Sequence, residues 1–392
     1  MNDTKLETAL SLPSDFRFGE VSSLTAFRTT ISSAPSLGPL ADFTGTFTGH
    51  GFNTIFRPDS TATPTPLPIP VSGSDNILEL NLTSETLSFS KGLGSIPNRG
   101  MVQGDIFLNG VPYLQVISDI TVPRQPVGIH FEPGLWVIVP TTADPAEGPT
   151  LVRMASIPHG TTIVAQGKFS TAHGKPTIPP VDITPFTTAA PNTKIPFPSQ
   201  TATNNNTPRI PQNLSSFIAA GTITQAMLTD PNTLLRNHIA SQNITSTTTI
   251  TISTSPAAPL FGGGTDNIAF LLGDPAALTN PAAAGPNAQA LKMIATYWIE
   301  TVEHVIVVPI FRPGHPPLTI RAETGEAGQP VPKFLVHPPI EITTPRRITV
   351  KSTQIQYSQQ VFLNFNTLTW PHVSVATLVP SEPIPVPHSA FT

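Results

Sequence analysis

Residues Phe43 to Arg57 read FTGTFTGHGFNTIFR, and Asn76 to Phe89 read NILELNLTSETLSF. Apolar and polar residues alternate in both, which is the period of a strand with one buried face. In the first run Phe43, Phe47 and Phe52 are expected to project inward. In the second, Ile77, Glu79 and Asn81 fall on one face and Leu78, Leu80 and Leu82 on the other. Gly104 to Ile120 holds GDIFLNG and YLQVISDI, split by Asn109-Gly110, a strong hairpin dipeptide. Ile129 to Pro140, Leu151 to Ile157 and Thr161 to Gln166 continue the pattern at short spacing. Such a run predicts an antiparallel meander, the signature of a sandwich or an up-and-down barrel.

The composition agrees once it is placed on these strands. The chain has 392 residues, with 46 Pro and 26 Gly, a content that without a repeat would suggest disorder. Hydrophobic residues nevertheless make up 39% and net charge is only −4, the opposite of a disordered profile. Pro and Gly therefore punctuate strands. No basic run exists to neutralise phosphates, so nucleic acid is not an expected partner. No apolar stretch is long enough for a transmembrane helix. Met1 to Leu12 lacks the basic start and apolar core of a secretory leader, so the expected location is cytoplasmic or unassigned.

From Gly167 to Pro211 Pro, Thr and Asn dominate, which reads as a linker or a long surface crossing. Leu214 to Ile239 is the best helical stretch. Asp230-Pro231 inside it suggests an N-cap followed by Pro at the first helical position, so two short helices are expected. Strands resume at Thr245 and include the long β-branched run Met293 to Ile310. Three segments echo one another in order: Ser74–Ile77 with Thr265–Ile268, Val137–Pro140 with Ile306–Pro309, and Pro179–Thr184 with Pro338–Thr343. The common order predicts a tandem repeat. The expected fold is all-β, with two lipocalin-like or fatty-acid-binding-protein-like antiparallel barrels: residues 1–185, a linker with short helices over 186–244, and residues 245–392.

The absence of Cys excludes disulfides, thiolate metal sites and thiol catalysis. There is no G-x-S-x-G, H-E-x-x-H or Walker loop, and Gly262-Gly263-Gly264 precedes a strand, not a helix. Ten His remain, none spaced at i, i+2 or i, i+4 from another, so any metal site must be assembled across strands. His130 and Glu132 point to the same strand face. They can act as an acid–base pair or simply hold each other in a buried hydrogen bond. Arg57 and Arg312 stand in matching I-F-R-P contexts. An inward Arg at a barrel mouth would bind a carboxylate, and a strand-ending Arg would lie in solvent.

Two segments resemble a known family. Gly128–Trp136 (GIHFEPGLW), preceded by Phe43–Gly51 (FTGTFTGHG) and followed by Pro158-His159-Gly160, is similar to the H-x-E-x-G segment and opening strand of nitrobindin-like proteins, which are small heme-binding β-barrels. Leu368–Val375 (LTWPHVSV) resembles the last strand of that family. The resemblance implies heme as cofactor, His372 as proximal iron ligand and His130 on the pocket wall. Trp136 and Trp370 in the same segments, and Arg57, join the candidate cofactor contacts. The family forms one barrel of about half this length, whereas His130 and His372 lie in different halves of this chain. Either one barrel carries a large insertion or the two His occupy separate cavities. If separate, His173 or His238 would have to serve the first half.

Three functions follow. The first is binding of heme or another hydrophobic small molecule inside a barrel, with peroxidase-like or gas-binding activity. The second is a cofactor-free enzyme using His130 and Glu132 on an apolar substrate. The third is a structural β-protein without ligand.

Overall fold

Ten long strands close into one antiparallel barrel. They are β1 (Gly45–Pro58), β2 (Asn76–Phe89), β3 (Ile106–Asp119), β4 (Val127–Val139), β5 (Thr150–Ser156), β6 (Thr161–His173), β7 (Asn243–Ser253), β8 (Gln289–Val308), β9 (Arg346–Phe365) and β10 (Leu368–Pro380). Each pairs with the next, and β10 returns to β1 with Gly51 opposite Ala376. This computed structural model describes residues 35–71, 76–257, 260, 262–280, 285–323 and 330–391. The leader reading at Met1–Leu12 and the Ser74-Asp75 part of one echo lie outside them. Among the described residues no helix is long and apolar enough to cross a membrane.

The all-β expectation with a short helical insert holds, and the two-barrel division does not. Strands β6 and β7, which the predicted boundaries assign to different barrels, pair directly over Gln166–His173 and Ser246–Ser253. The barrel interior draws on both halves: Phe47, Leu87, Tyr113, Trp136 and Leu151 pack with Ile250, Met293, Tyr297, Ile355 and Leu378. Ten strands are needed to surround this core, and neither half supplies them alone.

Alternation sorts the side chains. Phe47, Asn53 and Ile55 face the interior, while Phe52 and Phe56 face out. Phe52 is five residues from Phe47 and so takes the opposite side, a correction to the inward reading. In the first half of β2 the interior face is the polar one, with Glu79 and Asn81, and Leu78 and Leu80 point outward. These outward residues are buried because the crossover from β6 to β7 lies on them. Ile178, Val181, Ile183 and Ala202 are buried against the barrel wall, so the Pro-rich stretch packs as an outer layer and is not a linker. A chain poor in backbone N–H groups needs donors for its carbonyls. Arg209 supplies them: it is wholly buried and donates to the carbonyls of Ser199, Thr201, Ala202, Asn204, Pro211 and Gln212.

Three short helices complete this layer, α1 (Ser215–Ala220), α2 (Gln225–Thr229) and α3 (Thr233–Ile239). Asp230-Pro231 separates the last two, and the Asp230 carboxylate accepts from the Asn232 amide at 3.1 Å. Asn109-Gly110, read as a hairpin, lies inside the continuous strand β3. The Asn109 side chain bonds Gly94 N and Pro35 O instead of closing a turn. Gly110 lets β4 approach, since a Cβ there would lie 2.5 Å from the Trp136 carbonyl. A separate three-stranded sheet (Leu318–Arg321, Lys333–Val336, Ile384–Pro385) packs on the far ends of β8 and β9.

On the outer wall beneath α3, Glu300 is fully buried. Its Oε2 accepts from Gln354 Nε2 at 2.6 Å, and its Oε1 has no partner among the described residues. Burial pushes its carboxyl up to about 8, against the opposing Gln354 bond. Between the ordinary value of 4.5 and about 8 the unfolded chain ionises Glu300 while the folded chain holds the proton. Stability therefore falls as pH rises through that window. Glu300→Gln removes the penalty and keeps an acceptor for Gln354. Thermal melts are expected to show a higher Tm for the variant at pH 8 and coincidence with the wild type near pH 4.5. A pH-independent difference would contradict the buried, protonated state.

Candidate functional site

The barrel is filled at one end and hollow at the other. Phe43, Phe47 and Phe89 form the solid end, with Phe43 and Phe89 stacked at 4.5 Å and Trp136 edge-on to Phe43. Toward the other end lies a cavity of about 370 Å³, within the range of small-molecule sites. Ile55, Ile117, Ile157, Ile163, Met293 and Val361 form its apolar wall.

Three His reach this cavity: His130 from β4, His159 from the turn between β5 and β6, and His372 from β10. The barrel closure brings together two residues whose separation in sequence had left one shared site or two separate ones open. His130 and His159 stand edge to face with ring centroids 5.0 Å apart. His372 Nε2 lies 3.4 Å from Asn53 Nδ2, while its Nδ1 is buried with no hydrogen-bond partner among the described residues. Burial first, then His130 and His159, lowers the His372 imidazole to about 3, so it is neutral at ordinary pH.

The expected pairing of His130 with Glu132 is present, at 3.0 Å between His130 Nε2 and Glu132 Oε2. Glu132 itself does not line the cavity. It is fully buried and accepts from Arg153 Nη2 and Tyr113 Oη. Burial alone would raise its carboxyl, but Arg153, His130 and Tyr113 override this and hold it at about 2. A carboxylate so weakly basic orients His130 and is unsuited to act as a general base itself. Arg153 also donates from Nε to Tyr113 Oη at 2.7 Å and from Nη1 to Gln359 Oε1 at 2.7 Å. Its guanidinium lies 5.6, 5.9 and 5.5 Å from the ring centroids of Tyr113, Trp136 and Tyr297.

A second carboxylate, Glu85, takes the opposite state. It accepts from Tyr357 Oη at 2.7 Å, Thr83 Oγ1 at 3.0 Å and Gln115 Nε2 at 3.4 Å. No cation touches it in this set, and burial raises its carboxyl despite those bonds.

Three candidate contacts lie away from the cavity. Trp136 is 2% exposed and belongs to the solid core below Arg153. Trp370 packs in the outer layer, stacked on Phe365 at 4.7 Å, with its Nε1 bonded to the Phe365 carbonyl at 2.9 Å. Both are large aromatics whose burial is met by packing and, for Trp370, a backbone acceptor. Arg57 lies half-exposed, paired to Glu79 at 3.3 Å. It is not a cavity wall residue, although Glu79 is. Among the described residues no cluster of three or more His, Asp or Glu could hold a bare metal ion. A heme iron brings four nitrogens of its own and needs one imidazole from the protein, which the neutral His372 can provide.

Arg153, Tyr113 and Asn53 are not among the residues expected at the site from sequence. A signal existed for Arg153: in LVRMAS it shares a face with Leu151 and Ala155, and a charge on an apolar strand face implies a buried partner. Asn53 gave no comparable signal, and His159 stood out only as part of Pro158-His159-Gly160.

No protein-family model matches the chain, and no curated protein matches it. Among solved structures it is similar to the crystal structure of Rv2717c from M. tuberculosis. The TM-score is 0.32 at 10% identity, covering 89% of this chain and 99% of that one. A likeness of this degree carries no argument about activity.

Proposed function

We propose that the barrel binds a hydrophobic small molecule in its cavity, anchored at His372, with heme the first candidate. The supporting observation is the convergence of His130 and His372, from different halves of the chain, on one largely apolar cavity. His372 offers a neutral imidazole, the form that ligates iron, and bound heme would supply redox and gas-ligand chemistry, including peroxidase-like activity. His130, fixed by Glu132, stands on the wall of the same cavity and could hold a hydrogen bond to a ligand.

Titration with hemin tests this reading. A Soret band is expected to develop at one equivalent. His372→Ala is expected to weaken uptake at least tenfold while the circular dichroism spectrum keeps its strand signature. Absence of hemin uptake by the wild type overturns the heme assignment. A cofactor-free enzyme is the second reading, favoured by the His130–Glu132 hydrogen bond. It assigns His130 the proton transfer and Glu132 the positioning of its ring.

A further inference from the structure

We infer that the cavity selects a ligand that carries no charge on its buried part and presents a hydrogen-bonding edge such as a carbonyl, a hydroxyl or the N–H of an arylamine. The inference rests on the reading that the cavity binds a small molecule, and the chemistry it names favours a ligand with a polar inner edge over heme, whose inner edge is hydrocarbon.

The first support is a polar belt that only the strand register reveals. Asn81 of β2 lies opposite Asn53 of β1, Asn53 opposite Ser374 of β10, and Ser374 opposite Gln359 of β9. All four line the cavity. They are partly linked already: Asn81 Nδ2 donates to Asn53 Oδ1 at 3.3 Å, and Asn53 Nδ2 donates to Ser374 Oγ at 2.7 Å. The side chains of this belt are amides and a hydroxyl, groups that can both donate and accept, and all are uncharged. Opposite charges are not needed to satisfy it, and an apolar ligand with no polar edge would leave it dry and unpaired.

The second support is the state of the buried charges. An arginine inside a barrel is an obvious anchor for a carboxylate. Here Arg153 is already committed to Glu132, Tyr113 and Gln359 and lies behind the cavity wall. The charged pair at the rim, Arg57 with Glu79, is likewise matched. An anion entering the cavity would lose its hydration and meet no unmatched cation along Asn81, Asn53, Ser374 and Gln359.

Two fluorescent probes with the same body separate the outcomes: neutral N-phenyl-1-naphthylamine and anionic 8-anilinonaphthalene-1-sulfonate. The wild-type protein is expected to bind the neutral probe at least tenfold tighter. Ile163→Trp, which fills the cavity, is expected to abolish that signal and so place it inside the barrel. Glu132→Gln leaves Arg153 unmatched and is expected to shift the preference at least tenfold toward the anion. Equal affinity of the wild type for both probes, or preference for the anion, overturns the inference while leaving the cavity reading intact. Failure of both probes to bind in an Ile163→Trp-sensitive manner overturns the cavity reading and this inference with it. The wild-type ratio decides the matter even if Glu132→Gln does not fold.

Discussion

Arg153→Met is expected to destabilise the protein by about 3–5 kcal/mol at pH 7, the cost of stranding a buried charge. Glu132 has no exposure and is held ionised mainly against its own burial by Arg153. Removing the guanidinium leaves the carboxylate with only His130 and the Tyr113 hydroxyl, and frees the acceptor of Gln359 on the cavity wall. The penalty has a predictable pH dependence. In the wild type the Glu132 carboxyl titrates at about 2 when folded, against 4.5 ordinarily. Its contribution is present in full above 4.5 and is lost as pH falls from 4.5 toward 2. Urea unfolding of the two proteins should thus differ most at pH 7 and converge near pH 2. Combining Arg153→Met with Glu132→Gln should recover part of the loss, because the double variant buries no charge. Wild-type stability in Arg153→Met alone would mean the ion pair does not organise the barrel interior.

Gly51→Val is expected to cost about 3 kcal/mol or more, the upper end for overpacking, because the obstruction is backbone. Gly51 lies on β1 at the seam where β10 closes the barrel. A Cβ there would lie 2.2 Å from the Val375 carbonyl, 2.8 Å from Thr83 Oγ1 and 2.9 Å from the Ala376 Cβ. Gly49, two residues earlier on the same face, is as tightly placed, 2.0 Å from the Thr377 carbonyl. Neither carbonyl can move without breaking the β1–β10 ladder, so a side chain at this seam opens the barrel. The loss should appear as a lowered urea midpoint and a weakened response to cavity probes. Gly148→Ala is the control: its Cβ meets nothing within 4 Å, and a change within about 0.5 kcal/mol is expected. Equal tolerance at both positions would show that the seam is not closed in solution.

Alternation in FTGTFTGHGFNTIFR and NILELNLTSETLSF was enough to place strands, because a pleated backbone sends neighbours to opposite faces whatever the tertiary context. It did not say which face was inside. Leu78 and Leu80 look like core against Glu79 and Asn81, yet the barrel holds the polar set inside and the Leu residues lie under the crossover. The choice depended on a second layer about a hundred residues away in sequence. The ordered echoes suggested two barrels for a similar reason: local pattern reports strands, and strand partners are not local. Trp136 and Trp370 show the limit for the site. Each sits in a segment that contributes a cavity histidine, and each is turned into packed core.

The β class, the absence of Cys and the His130–Glu132 pairing follow from the order of residues, since two residues apart on one strand share a face. Strand pairing in three dimensions settles that a single barrel closes through β1 and β10, joining His372 to His130 across more than half the chain. It also decided that Asn81, Asn53, Ser374 and Gln359 form one row, and that Glu132 is spent on Arg153. The physical reason is that hydrogen-bonded register and barrel closure are properties of strand pairs, set by long-range contacts that no single stretch of residues contains.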